Sequence, residues 1–186
     1  MAQIAATETN KFVGISSLHV IKGGFAANFG LGSGSLVEIP VAEDGGFTYT
    51  GGEPSIEHYK IHGLTADWTS RTTPGETSVN LFVPSITKSL LQLFGFTVAD
   101  ASGTSAAGKD ITSGFMFAET SLAVTLGIAA INDEGNKLFG IKAAKLSATI
   151  VFDEANSAKP IGISLTGSTS AGGDADAMGI FELDVD

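Results

Sequence analysis

Cysteine is absent from the 186 residues, which removes disulfides, thiolate metal sites and a cysteine nucleophile together. The chain is therefore indifferent to redox compartment. Basic residues are scarce, ten against twenty acidic ones, and the formal net charge of −10 has the wrong sign for gripping nucleic-acid phosphates. Long apolar runs are missing too: "TSLAVTLGIAAIN", the longest without a charge, is too short to span a bilayer as a helix. The opening "MAQIAATETNKF" has no basic segment followed by a continuous apolar core, so a secretory signal is not expected and no membrane partner is foreseen. Charged residues make up only 16%, which leaves little material for helices with solvated faces.

What the chain has instead is glycine, 24 residues of it, in a composition that is 43% hydrophobic. That balance suits many short strands joined by tight turns, so the expected class is all-β. A chain of this length can bury roughly 70% of its unfolded surface in one core, so one domain is expected over residues 1–186. Within it, residues 1–11 read as an N-terminal arm and 168–186 as an acidic C-terminal segment.

"KFVGISSLHVIKGG" and "GSLVEIPV" read as strands on either side of a glycine-rich loop, and "AEDGGFTYTGGEPS" as a long turn-rich connection over 42–55. "IEHYKIHGLTADWTSR" looks like two strands meeting near Gly63. In "TSVNLFV" the side chains of Val79, Leu81 and Val83 share one face, and Pro84 ends the strand. A single short helix is expected over about 84–95, with Ser85 as N-cap, Gly95 as stop and Ile86, Leu90, Leu93 and Phe94 as its apolar stripe. So short a helix needs tertiary packing to persist, which places it across a sheet edge or an open sandwich end.

Further along, "ITSGFMFAE" and "SLAVTLGIAAI" read as strands, and "NDEGN" joins the second to "KLFGIKAAKLSATIVFD" as a hairpin. The last strand changes phase. Phe139, Ile141 and Ala143 hold one parity and Leu146, Ala148, Ile150 and Phe152 the other, so a bend or bulge near Ala143 and Ala144 is expected, with a change of buried face of the kind seen where a strand passes between sheets. "KPIGISLTG" and "MGIFELDV" would complete the sheets.

Motifs that suggest chemistry have plainer readings. His58 and His62 resemble a metal pair, but on a strand their Cα atoms lie roughly 13 Å apart, too far for one ion. His19 reads as a half-buried strand residue. "GLGSGS" lacks the following helix of a phosphate loop, since "LVEIP" continues as a strand. Asp174 and Asp176 in "GGDADAMG" are spaced as in calcium loops but lack the closing glutamate, and Glu182, Asp184 and Asp186 read as a solvated strand face. No nucleophile elbow or zinc signature is present, so neither an enzyme nor a cofactor is expected.

The order of elements, a strand running into one short helix through "VNLFVPSITKSLLQLFGF" and later the "NDEGNKLFGIKAAKLSATIVFD" hairpin, resembles the tail tube proteins of bacteriophages and related injection systems over roughly residues 12–167. The resemblance implies a two-sheet β-sandwich or partial barrel flanked by the helix, and six copies in a ring whose inner sheets line a channel. It implies stacking of rings through the loop at 42–55, with Glu43, Asp44, Phe47, Tyr49 and Glu53 as docking candidates. Carboxylates on polar strand faces and rim turns, Glu38, Glu57, Asp67, Glu119 and Asp133, become candidates for the channel wall, past which DNA would slide without specific binding. The partners implied are further copies of the chain, a tail terminator, a tape measure and baseplate or tip proteins, in a virion tail assembled in the host cytoplasm. A monomeric β-sandwich binding module, a capsid decoration or surface carbohydrate-binding domain, fits the same composition. Of 15 aromatic residues, however, only Trp68, Tyr49 and Tyr59 are of the type that usually stacks on sugars.

Overall fold

Alternation of apolar and polar residues organises most of the chain, and the strands it produces pair antiparallel. A computed structural model describes residues 14–26, 29, 36–41, 46–63, 65–104, 108–152, 161–170 and 177–184. In chain order the elements are β1 (Ser17–Lys22), β2 (Val37–Ile39), β3 (Phe47–Thr50), β4 (Ser55–Tyr59), β5 (Thr69–Thr73), β6 (Ser78–Val83), α1 (Lys88–Leu93), β7 (Val98–Asp100), β8 (Gly103–Thr104), β9 (Asp110–Ile111), β10 (Phe115–Phe117), β11 (Val124–Ile131), β12 (Lys137–Val151), β13 (Gly162–Thr169) and β14 (Met178–Glu182). The all-β class with one short helix is thus the observed one. Eight strands form the main sheet in the order β2-β1-β11-β12-β13-β6-β3, with β14 also paired to β12. Three two-stranded sheets, β4-β5, β7-β10 and β8-β9, stand beside it.

The main sheet curls over its own core. Strand β3 lies three strand spacings from β12, about 14 Å along a flat sheet. Yet the Phe47 and Tyr49 rings come within 6.4 and 5.9 Å of the Phe139 ring, centroid to centroid. Only a curved sheet brings them so close, which makes the fold the partial barrel of the two architectures expected. One cluster of buried side chains fills it, drawn from β1 (Leu18, Val20), β6 (Val79, Leu81, Val83), β11, β12, β13 and the helix.

Strand β12 makes the curl. Leu126 pairs with Ala144 and Ile128 with Ile141, so Lys142 and Ala143 together face Gly127 across the ladder. This β-bulge lies at the position expected from the phase change. Its consequence differs from the expectation, because the extra residue restores the phase: Ile141, Ala144, Leu146 and Ala148 all enter the same core. What changes is the neighbour along one edge. Lys137 to Ile141 pair with β14, and Ala144 to Val151 pair with β13.

Two further elements depart from the expectation. Phe47–Thr50, read as part of a connection, is a strand because its backbone completes the ladder of β6 and its rings cap the core. The helix is shorter than 84–95 and is capped by Thr87, not Ser85: Thr87 is extended (φ −125°, ψ 157°) and its hydroxyl accepts from the Leu90 N–H at 3.3 Å. Gly95 stops it as foreseen, with φ 85°, while the Phe96 N–H reaches back to the Leu91 carbonyl at 2.9 Å. Of the expected stripe, Leu90 and Phe94 are buried and Ile86 and Leu93 are half-buried against the core; Leu91, fully buried, was missed.

Leu91→Ala should therefore destabilise the domain by about 2–5 kcal/mol, the usual cost of a cavity at a fully buried leucine. Urea unfolding monitored by circular dichroism measures it, and a change within error would show that the helix is not a structural part of the core.

Candidate assembly surfaces

The ladder of β3 and β6 does not end where those strands leave the sheet. Its partners sum to 128, from Phe47 with Leu81 to Thr50 with Ser78, and so do those of β4 and β5, from Ser55 with Thr73 to Tyr59 with Thr69. The two pairs are one long hairpin in a single register, whose outer part, residues 51–77, forms an arm. Pro54 stands opposite Pro74 in that register, and neither can donate to the ladder, so pairing lapses between the two halves. At the same joint the chains cross backbone to backbone: a Cβ on Gly52 would lie 2.2 Å from the Gly75 carbonyl, and one on Gly75 would lie 2.3 Å from that of Glu53.

Every residue of β4 and β5 is exposed. The arm nevertheless carries large apolar side chains, Ile56, Tyr59, Ile61 and Trp68, the last with 67% of its surface in solvent. The Trp68 N–H donates to the Tyr59 carbonyl at 2.9 Å, which sets the two rings near the same end of the arm. His58 pairs with Asp67 through Nδ1 rather than with His62, and Lys60 lies 4.0 Å from the same carboxylate. These exposed pairs contribute little to stability.

The outward face of the sheet has two characters. Over β11, β12 and β14 it is covered by aromatic rings: Phe25 lies against Gly127, Phe29 against Gly140 and Phe181 against Gly179, with Phe29 and Phe181 5.0 Å apart. Over the second half of β12, β13, β6 and β3 it is mostly polar, with the Phe82 ring against Gly162 at one end. A cross-strand row runs Ser147, Thr166, Asn80, Thr48, flanked by Lys145, Ser168, Thr149 and Thr50. Lys145 is its one ionisable member, and every residue named is exposed.

The expected site residues are dispersed. Glu38 is exposed on β2, Glu57 on β4 accepts from the Tyr59 hydroxyl at 2.9 Å, and Asp67 belongs to the arm. Glu119 follows β10, and Asp133 sits in the β11–β12 turn against Gly14. These five carboxylates share no single face. Among the docking candidates, Phe47 and Tyr49 pair with Leu81 and Val79 and are half-buried against the core, while Glu53 is exposed at the arm's joint. Glu43, Asp44, the N-terminal arm over 1–11, the "GLGSGS" loop, and Asp174, Asp176 and Asp186 lie outside the described residues. Sequence reasoning placed the two strands of the arm but missed its projection and the hydroxyl row. Only the ladder register shows either.

No protein-family model matches the chain, and no curated protein matches it in sequence.

Because no side chain of β4 or β5 belongs to the core, replacing residues 53–75 by an Asn-Gly turn should leave the domain folded. Its thermal midpoint should stay within a few degrees of the parent's by circular dichroism. Loss of the cooperative transition would show that the arm is part of the folding unit.

Proposed function

We propose that the chain is the subunit of a phage-type tail tube, closing into rings, six copies as the resemblance implies, that stack into a channel for DNA delivery. The observation that carries this reading is the arm: a hairpin whose described residues from Glu53 to Pro74 are all exposed, Ile56, Tyr59, Ile61 and Trp68 among them. Exposed apolar surface of this kind marks an interaction site. The edges of β2 and β3, unpaired among the described residues, are a second route by which sheets of adjacent copies would join.

The row of Ser147, Thr166, Asn80 and Thr48 is the face best suited to the channel wall. Duplex DNA carries about one negative charge per 1.7 Å, and each phosphate neutralised by lysine or arginine adds affinity through counterion release. A wall of hydroxyls and amides supplies none of that term, and Lys145 at its flank limits each chain to one such contact. The net charge, −10 per chain and hence −60 for six copies, keeps free polyanions off the outside.

A monomeric carbohydrate-binding module is the second reading, favoured by the exposed Trp68 and Tyr59 rings. Negative-stain microscopy of concentrated protein separates the two: rings or tubes support the tube, and isolated particles at every concentration reject it. For the wall, the pair Thr166→Lys and Ser147→Lys should slow DNA ejection from otherwise normal particles, more so at low salt. Ejection at the parent rate with both lysines in place would remove this face from the channel.

A further inference from the structure

The arm and the helix lie at opposite ends of the same strand. Strand β6 begins at Ser78, where the arm leaves the sheet, and ends at Val83, just before the turn into α1. From β1 to β6 the order is β1, β11, β12, β13, β6, and all four pairings are antiparallel. Strands β1 and β6 therefore run in the same direction, and Lys22, the last residue of β1, sits at the helix end. Val37 joins it there, since it is the partner of Val20.

A groove opens between these elements. It holds about 310 Å³ and is lined by Lys22, Val37, Ser89, Leu90, Gln92 and Leu93. Lys22 pairs with Leu126 in the ladder, so it continues the inward-facing row of Leu18 and Val20 to the mouth of the core. Its ammonium makes no hydrogen bond or ion pair among the described residues. The arm has the complementary character: large apolar side chains, with Glu53, Glu57, Asp67 and Glu76 against only Lys60 and Arg71.

We propose that the groove between α1 and the β1–β2 edge receives the arm of a second copy, with the Trp68 indole on its apolar floor and the acidic arm beside Lys22. The proposal rests on the tube reading and names the surface onto which the arm docks. Groove and arm are different surfaces at opposite ends of one chain, so the contact is heterologous and repeats from copy to copy along the strand direction. Each copy presents one arm and one groove, so successive rings stack with a fixed polarity. The apolar contact supplies affinity, and the lysine against the acidic arm supplies register.

The cysteine-free sequence makes the test direct. Ala66 and Gln92 are both exposed, the first on the arm and the second on the groove rim. With a short thiol-specific cross-linker, assembled Ala66→Cys/Gln92→Cys protein should give a ladder of covalent oligomers rising by one chain. Either single variant has one thiol and cannot pass the dimer. Independently, Trp68→Ala should raise the concentration needed for assembly by about tenfold or more with an unchanged thermal midpoint, as expected of a central aromatic anchor. Tubes that form normally but give no ladder, or an assembly threshold indifferent to Trp68, would overturn the groove as the docking site and leave the tube standing. Absence of rings and tubes from the unsubstituted protein would overturn the tube reading and this proposal with it.

Discussion

Strand β12 has to satisfy three neighbours with two edges, and the bulge at Lys142 and Ala143 is how it does so. One edge is held by β11 from Leu138 to Leu146. The other edge is shared, first with β14 and then with β13. At the handover the backbone stays paired: the Lys142 N–H donates to the Ala177 carbonyl, and the Ser170 N–H donates to that of Ala143, each at 2.9 Å. An extra residue sharpens local twist and bends the strand. That bend turns β13, β6 and β3 over the core, so that the Phe47 and Tyr49 rings meet Phe139. Without it the sheet would present one apolar face to water, with only a six-residue helix to cover it.

The curl also explains which parts of the fold were legible in the sequence. Val79, Leu81 and Val83 alternate cleanly and are buried, because alternation reports a strand with one face inside. The parity switch in β12 was legible as a pattern, but a strand crossing between sheets and a strand with one inserted residue leave the same pattern. Only the partner register at Gly127 separates them. Phe47–Thr50 was illegible as a strand, since four residues between glycine pairs carry almost no periodic signal and owe their state to β6. In the arm, "SIEHY" reads as a strand, yet Ile56 and Tyr59 fall on opposite faces of it and all five residues are exposed. Pattern reports what a face is made of, not whether anything covers it. Nor did polar residue type locate the face proposed for the channel, for a cross-strand row such as Ser147, Thr166, Asn80 and Thr48 comes from four separate strands.

An arm of this kind is normally a hazard. Its two strands have outer edges with no partner strand among the described residues, and such edges invite pairing with other chains unless something blunts them. Here Pro54 and Pro74 interrupt the ladder at its base, the Gly52–Gly75 crossing twists it, and Glu57, Lys60, Asp67 and Arg71 place both signs of charge along it. Those devices suppress unspecific edge pairing. They do not remove Ile56, Tyr59, Ile61 and Trp68, any of which a polar residue could replace at no cost to the core. An element protected at its edges but apolar on its faces has the character of a surface kept for a specific contact.

The same reasoning separates the two halves of the sheet's outward face. Over β11, β12 and β14, small residues at Gly127, Gly140 and Gly179 let Phe25, Phe29 and Phe181 lie flat, so that face is closed by the subunit itself and is available only as a smooth apolar exterior. Over β13, β6 and β3 the Phe82 ring lies against Gly162 at one end, and beyond it polar side chains bond locally: Asn80 donates to Ser78 at 3.1 Å, and Thr149 to the Ser164 carbonyl at 3.4 Å. Hydroxyls and amides carry no charge to attract a phosphate, and Lys145 is the one cation on this face. For a tube that must pass a long polyanion without retaining it, a face of hydroxyls and amides with a single lysine at its flank serves better than a strongly cationic one, which binds, and resists the passage less than an acidic one, which repels the duplex at the entrance.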